Sequence, residues 1–303
     1  MRSVIDPALR RWLPLVSAVT FVALLLGVAV GRLTGPVTEP GAAADPGDEA
    51  AVAEDGHIHP VPGQTDAAGP AAAVTGQSMS ASGYTLIPQA REFDAGDDTP
   101  LRFHIADSYG TPVTSFTEIH EAPMHLFVMR RDLSGYQHLH PTMDDDGTWT
   151  ATPEWAASGP WRIITDFAVA EGDTTIPITL GVDVSVPGEY RAADLPPAED
   201  VVRVDGFEVT MEFAPEVAVS SPLLLRVTRD GEPAELEPYL GAVGHLVVLR
   251  DGDLGFLHVH PDDGGGDALR FWTTIPSQGD YRAHFDFKVD GQVHTAGFTL
   301  SIP

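Results

Sequence analysis

The stretch Met-His-Leu-Phe-Val-Met-Arg-Arg-Asp-Leu-Ser-Gly-Tyr-Gln-His-Leu-His-Pro, residues 124–141, occurs twice in this chain. The second copy, residues 244–261, reads Gly-His-Leu-Val-Val-Leu-Arg-Asp-Gly-Asp-Leu-Gly-Phe-Leu-His-Val-His-Pro. A constant offset of 120 positions superimposes the two copies, and it continues downstream to Asp166 and Asp286. A fixed offset over so many positions indicates an internal repeat. The chain therefore carries two copies of one domain.

Both copies alternate short apolar runs with Gly, Pro and Asp. Such runs, without helical periodicity, are typical of an all-β sandwich, and each copy is close to the roughly 100 residues of an immunoglobulin-like domain. The runs include residues 101–105, 125–129, 179–186 and 207–211. The sequence therefore predicts a mainly β protein with two tandem immunoglobulin-like β-sandwiches, at residues 83–190 and 206–303, joined by a linker at residues 191–205.

The first 34 residues have the composition of a membrane anchor. Residues 13–31 contain no charge and follow a short segment with three arginines. Such a run is about long enough to cross a bilayer as a helix, and the arginines place its N-terminus in the cytoplasm. We predict a single-pass signal anchor in the cell membrane at residues 1–34, with the bulk of the chain extracytoplasmic. Cleavage near the small residues at 29–31 would instead give a secreted protein.

Residues 35–82 consist largely of Ala, Gly, Pro and acidic residues. A segment of this composition buries too little apolar surface to offset the entropy lost on ordering, so it predicts a disordered stalk.

Charge and cysteine content exclude several classes of protein. The net charge is -27 with a single lysine, which argues against binding to nucleic acid because phosphate contacts need basic side chains. The chain has no cysteine, so it cannot form disulfides, thiolate zinc sites or type 1 copper sites. No Ser/His/Asp arrangement and no phosphate-binding glycine loop is found in the sequence. We predict a protein that is not an enzyme.

The repeated stretch predicts a β-hairpin with three histidines on one face. If the hairpin closes near residue 132 or 133, His125 lies opposite His140 and diagonal to His138. Three imidazoles at such separations can bind one metal ion at about 2.0–2.1 Å per Zn–N bond. Copper is favoured over zinc because divalent affinity generally peaks at copper. The predicted ligands are His125, His138 and His140 in the first copy and His245, His258 and His260 in the second.

A structural role for these histidines is the alternative. The same hairpin face carries Phe127, Met129 and Tyr136, so it is directed toward a core. Core histidines commonly bond to backbone carbonyls, and the three rings could simply hold strands together. A metal ion, in contrast, would satisfy all three buried imidazoles at once.

Asp166 and Asp286 are auxiliary candidates in the same strand of each copy. Either carboxylate could be a fourth ligand or could orient a ligand histidine. The alternative is an ion pair with Arg162 or Arg282, which share their face by alternation. Two further histidines, His284 and His294, are found in the second copy alone, and we expect them at the surface.

The sequence resembles a group of secreted or membrane-anchored actinobacterial proteins without an assigned activity. Their modules carry His-Leu-x-Val-x-Arg followed by His-x-His-Pro, which here spans residues 125–141 and 245–261. The resemblance covers both copies and implies their topology and an extracytoplasmic location. More loosely, the layout is similar to the CopC and YtkA-type β-sandwiches linked to copper handling.

Two hypotheses follow from the sequence. The first is a membrane-anchored metal-binding protein that buffers or delivers copper or zinc. The second is a non-enzymatic structural or interaction module of the cell surface, with an unknown surface protein as its partner.

Overall fold

The computed structural model describes residues 74–96, 99–172, 174–257, 259–262 and 268–303, without the side chains of residues 260–262. The predicted anchor and most of the predicted stalk lie outside these ranges. Within them, no helix is long and apolar enough to cross a membrane.

In the part of the chain that the structure describes, the first repeat has nine strands. They are β1 (Ser80–Ala81), β2 (Tyr84–Pro88), β3 (Leu101–Ala106), β4 (His125–Arg130), β5 (Gln137–Leu139), β6 (Thr142–Met143), β7 (Trp149–Ala151), β8 (Gly159–Glu171) and β9 (Thr174–Val186).

The second repeat follows with ten strands in the described ranges. They are β10 (Val201–Val204), β11 (Phe207–Phe213), β12 (Ser220–Arg229), β13 (Glu232–Pro233), β14 (His245–Arg250), β15 (Phe256–Leu257), β16 (His260–Asp262), β17 (Leu269–Thr274), β18 (Gly279–Val289) and β19 (Gln292–Ile302).

Each repeat is a sandwich of two antiparallel sheets. In the first repeat the sheet β1-β2-β3-β7-β6 packs on β5-β4-β8-β9, and in the second β10-β11-β12-β17-β16 packs on β15-β14-β18-β19. Alternate residues of a strand face the core, as Leu101, Phe103 and Ile105 of β3 do. Each sandwich encloses its own apolar core. The prediction of two tandem immunoglobulin-like β-sandwiches is confirmed.

The central strands of the four-stranded sheets are buried on both faces. In β4, Leu126 and Val128 enter the core of the first sandwich, whereas Phe127 and Met129 point the other way. These outward side chains pack against the equivalent sheet of the second repeat and form an apolar layer that we call the interface cluster. Its buried members are Phe127, Met129, Leu133, Ile164, Val247, Leu249, Leu254 and Phe256. The two repeats therefore meet face to face through the sheets that carry the histidine hairpins.

Residues 74–78, which we call the strap, cross from one repeat to the other. The Thr75 N–H donates to the Phe256 carbonyl at 3.0 Å, and the Phe256 N–H donates to the Thr75 carbonyl at 2.9 Å. A Cβ atom on Gly181 of β9 would lie 1.8 Å from the Gly76 carbonyl oxygen, so the close approach of the strap requires glycine there. The predicted stalk reached residue 82, but residues 74–82 are folded because their backbone groups are paired.

The segment between β9 and β10 contains no regular element and also contacts the first repeat. The Ala193 N–H donates to Asp132 Oδ2 at 2.9 Å, and Leu195 packs against the interface cluster. Both connecting segments thus bring the chain back to the boundary between the repeats.

Candidate functional site

The first three predicted ligands meet at the boundary between the repeats. The β4–β5 register pairs Leu126 with Leu139 and Phe127 with His138, which places His125 opposite His140, as the hairpin spacing predicts. His125 Nδ1 lies 3.2 Å from His138 Nε2 and 3.2 Å from His140 Nε2. One nitrogen from each ring lies within 4.8 Å of the others, so the three rings converge on one point.

The outer nitrogens of two rings have fixed partners, and these partners determine where the ring protons lie. His125 Nε2 is 3.0 Å from the Ile119 carbonyl oxygen, and His138 Nδ1 is 2.8 Å from Asp286 Oδ2. A carbonyl or an ionised carboxylate oxygen can only accept, so each outer nitrogen carries the proton. In the neutral rings, His125 Nδ1 and His138 Nε2 then face each other with lone pairs. His140 Nε2–H can donate to His125, but the inner lone pair of His138 is still directed at another lone pair.

Burial keeps three of the neighbouring histidines, His125, His140 and His245, neutral near pH 7. Desolvation, followed by repulsion from His138, lowers the pKa of His125 to about 2. Desolvation and the neighbouring imidazoles lower the pKa of His140 to about 4. Desolvation is also the main reason why the pKa of His245 falls to about 4. Neutral imidazole is the form that binds a metal ion, so near pH 7 the site needs to release no proton from these rings.

The second repeat supplies the carboxylate of the site. Oδ2 of Asp286, on β18, accepts a hydrogen bond from the His138 Nδ1–H. Its other oxygen, Oδ1, accepts one from the Thr295 hydroxyl at 2.5 Å. Burial alone would raise the pKa of Asp286, but the hydrogen bonds from His138 and the Thr295 hydroxyl hold it below its usual value. Asp286 is therefore an ionised carboxylate that is almost inaccessible to solvent.

A second contact between the repeats lies beside this pair. The Tyr136 ring stacks on the His284 ring with centroids 3.8 Å apart and an interplanar angle of 3°. Tyr136 and His138 lie two residues apart on one side of the boundary, as His284 and Asp286 do on the other. The two contacts are therefore made at matching positions along two strands.

His245 joins the group from the second repeat. Its Nε2 lies 2.8 Å from the Tyr239 carbonyl oxygen, which repeats the bond from His125 to Ile119 at an offset of 120. The His245 ring centroid is 6.2 Å from that of His125 and 6.0 Å from that of His138. A cavity of about 40 Å³ lies among these rings.

The remaining predicted site residues are placed differently. Asp166 lines the same cavity and accepts the Thr179 hydroxyl at 2.8 Å. Arg162 forms its ion pair with Asp183, at 2.7 Å, and not with Asp166. His258 lies outside the described residues, and the side chain of His260 is not described. A three-histidine site in the second copy stays a prediction.

Three other histidines lie where the sequence did not predict them. His120, which was not a predicted site residue, has its ring centroid 5.5 Å from that of His245. The repeat offers no signal for it, because the equivalent residue is Leu240. His284 and His294 were expected at the surface but are 6% and 9% exposed. Alternation with Asp286 places His284 toward the other repeat, and His294 bonds to Asp205 Oδ2 at 2.8 Å.

Solved structures with a similar chain course include three bacterial proteins, and the likeness to each is weak. FdeC, an adhesin of Escherichia coli, has a TM-score of 0.24 and 14% identity over 75% of this chain and 66% of its own. InvD of Yersinia pseudotuberculosis has a TM-score of 0.23 and 11% identity over 74% of this chain and 58% of its own. Bacterial invasin, described as integrin-binding, has a TM-score of 0.23 and 14% identity over 74% of this chain and 40% of its own. The chain spans less than two thirds of each, and likenesses at this level carry no argument about function.

Sequence comparison places the chain in a family. No curated protein matches it. The family described as "Domain of unknown function (DUF8832)" matches residues 77–184 and again residues 202–303, which is more than half of the chain. The chain belongs to this family and contains two copies of its domain.

Proposed function

We propose that this member of the DUF8832 family is a non-enzymatic, extracytoplasmic protein that binds a divalent metal ion between its repeats. The proposal depends on one observation, the facing inner nitrogens of His125 and His138. In its neutral form each of these rings donates on its outer side, so its inner side offers a lone pair. A cation placed between them turns a repulsive contact into two coordinate bonds.

The distances fit an ion of the expected size. Two nitrogens at about 2.0–2.1 Å from a tetrahedral ion lie roughly 3.3 Å apart. His125 Nδ1 is 3.2 Å from each of the other two inner nitrogens. The third ring, His140, is half-buried, and its Nε2 already faces His125 Nδ1.

The outer partners are also those of metal ligands. A ligand histidine usually donates its second N–H to a carboxylate or a backbone carbonyl, which fixes the ring and its tautomer. Asp286 and the Ile119 carbonyl have these positions for His138 and His125. Imidazole nitrogens suit copper and zinc, and copper is the stronger binder by the general order of divalent affinities. We assign the ion as cargo that the protein buffers or delivers outside the membrane.

The test is a titration of the full chain with copper(II) chloride and with zinc chloride, using a competing chromophoric chelator. We expect tight binding by the wild type, loss of that binding in H140A/H260A, and wild-type binding in H104A. His104 lies on β3 of the opposite sheet and is the matched histidine control. No tight binding by the wild type, or equal affinity in H140A/H260A, overturns the proposal.

The second candidate is a structural or interaction module of the cell surface in which the histidines only join the repeats. The observation that favours it is the His138–Asp286 pair, whose side chains are 5% and 2% exposed and which connects the two repeats directly. This candidate predicts that H140A/H260A lowers the melting temperature equally in chelator and in metal. The metal proposal predicts a larger difference when metal is present, because a bound ion stabilises the folded state alone.

A further inference from the structure

The candidate site draws its ligands and their support from different repeats. The three converging rings all come from β4 and the β5 segment of the first repeat. The carboxylate that accepts the hydrogen bond from His138 Nδ1–H comes from β18 of the second repeat. We propose that Asp286 is a positioning residue that acts across the repeat boundary, so that ion binding by the first repeat depends on docking of the second.

Asp286 is itself held in one orientation. The β18–β19 register pairs Asp286 with Thr295, and the Thr295 hydroxyl donates to Oδ1. This leaves Oδ2 directed at His138 Nδ1, 2.8 Å away. A carboxylate fixed in this way sets both the tautomer and the plane of the ligand ring.

The adjacent stacked pair is formed in the same docked arrangement. Tyr136 stacks on His284 with centroids 3.8 Å apart, and its hydroxyl lies 3.4 Å from Asp286 Oδ2. A slip of the repeats along these strands would separate Asp286 from His138 and Tyr136 from His284 together. The carboxylate therefore reaches His138 only in the docked arrangement.

A reciprocal effect follows from linkage. If docking strengthens the binding of the ion, the ion strengthens docking by the same factor. The ion is then a clamp between the repeats as well as a cargo. This inference rests on the proposed metal binding, and the experiment separates the failure of one from the failure of the other.

The test compares D286N with D205N in the full chain. Asp205 also bonds to a histidine Nδ1 at 2.8 Å, but this pair lies in the second repeat away from the candidate ligands. H140A identifies the bound copper or zinc ion of this site, because binding of that ion is lost in the variant. We expect D286N to lower the affinity for the same ion by about 10–100-fold. D205N should bind that ion with wild-type affinity. Chelator competition gives each affinity, and the melting temperature in chelator shows whether the variant is folded.

A purely structural Asp286 would lower the melting temperature in chelator and leave the affinity of the folded protein unchanged, which overturns the inference. If D286N does not fold, T295V keeps the carboxylate and removes the hydroxyl that orients it. We then expect a smaller but measurable loss of affinity in T295V, and wild-type affinity there overturns the inference. A wild-type protein that binds no ion overturns the proposed function itself.

Discussion

The boundary between the repeats has two halves that are related by the offset of 120 but differ in their side chains. In one half, which we call the polar half, Tyr136 stacks on His284. In the other half, which we call the apolar half, the equivalent residues are Phe256 and Ile164. Both belong to the interface cluster, and the strap covers both at Gly76. Both members of each pair differ between the halves, while the strands that carry them keep the same pairing. The comparison shows that the side-chain pairs at matching positions of the boundary differ as pairs, while the strand pairing within each repeat is kept.

The largest expected effect comes from breaking the apolar half. In F256A a buried aromatic ring is lost from the interface cluster beneath the strap. We expect the free energy of unfolding to fall by about 3–5 kcal/mol, because a cavity replaces the ring. Urea denaturation measures this change. V293A is the control, since Val293 is 45% exposed and its loss should be nearly neutral. Equal stabilities for the two variants would contradict a shared core between the repeats.

The next largest effect concerns the polar half and is a loss of unfolding free energy at acidic pH. Desolvation, with the charge of Arg282, lowers the pKa of His284 in the folded protein from 6.5 to about 3. The unfolded chain thus binds a proton at this residue that the folded chain does not, so acid favours unfolding. The contribution of His284 to the free energy of unfolding is fully present above pH 6.5 and is lost as the pH falls toward 3. The slope of this loss is about 1.4 kcal/mol per pH unit.

The variant H284I replaces this histidine by isoleucine, the residue at the equivalent position, Ile164, of the apolar half. We expect its stability to decline less steeply between pH 6.5 and 5 than that of the wild type, as followed by urea denaturation at several pH values in chelator. V293A, which removes no titratable group, is the control and should retain the wild-type slope. An identical slope in H284I would mean that the pKa of His284 is the same in the folded and the unfolded protein, and would contradict this prediction.

The smallest expected effect comes from converting the polar half to the apolar one. The double variant Y136F/H284I reproduces the Phe256–Ile164 pair at the equivalent positions. We expect a change in unfolding free energy below about 1.5 kcal/mol, as for swaps that roughly conserve volume. A double-mutant cycle with Y136F and H284I measures the coupling between the two positions. A loss as large as that of F256A would show that the two halves are not equivalent.

Much of the fold could be predicted from the sequence because it is encoded locally. The alternation along residues 125–130 and the turn after them fix the hairpin register, and the offset of 120 transfers it to the second copy. The same alternation showed that Phe127 faces a core. It could not show which core, since a residue on a strand carries the same signal whether it packs within its own sandwich or against another domain.

The part of the site that depends on docking was not predictable for the same reason. Asp286 was a candidate to orient a histidine, but the spacing within one copy does not indicate a partner in the other. His120 has no histidine equivalent in the second copy, so comparison of the copies passes over it. Residues 74–78 have the composition of the stalk that precedes them, and composition does not reveal the backbone hydrogen bonds that order Thr75.

The strap has a mechanical consequence. Thr75 is hydrogen-bonded to Phe256 of the second repeat, while Arg162 of the first repeat donates to the Gly76 carbonyl at 3.1 Å. Tension applied to the chain on the N-terminal side of Val74 is thus borne first by the seam between the repeats and only afterwards by either sandwich. Hydrogen bonds at that point are few and can yield before the long β8–β9 and β18–β19 ladders are loaded. A load applied from that side would therefore act first on the strap, which lies along the seam that carries the histidines.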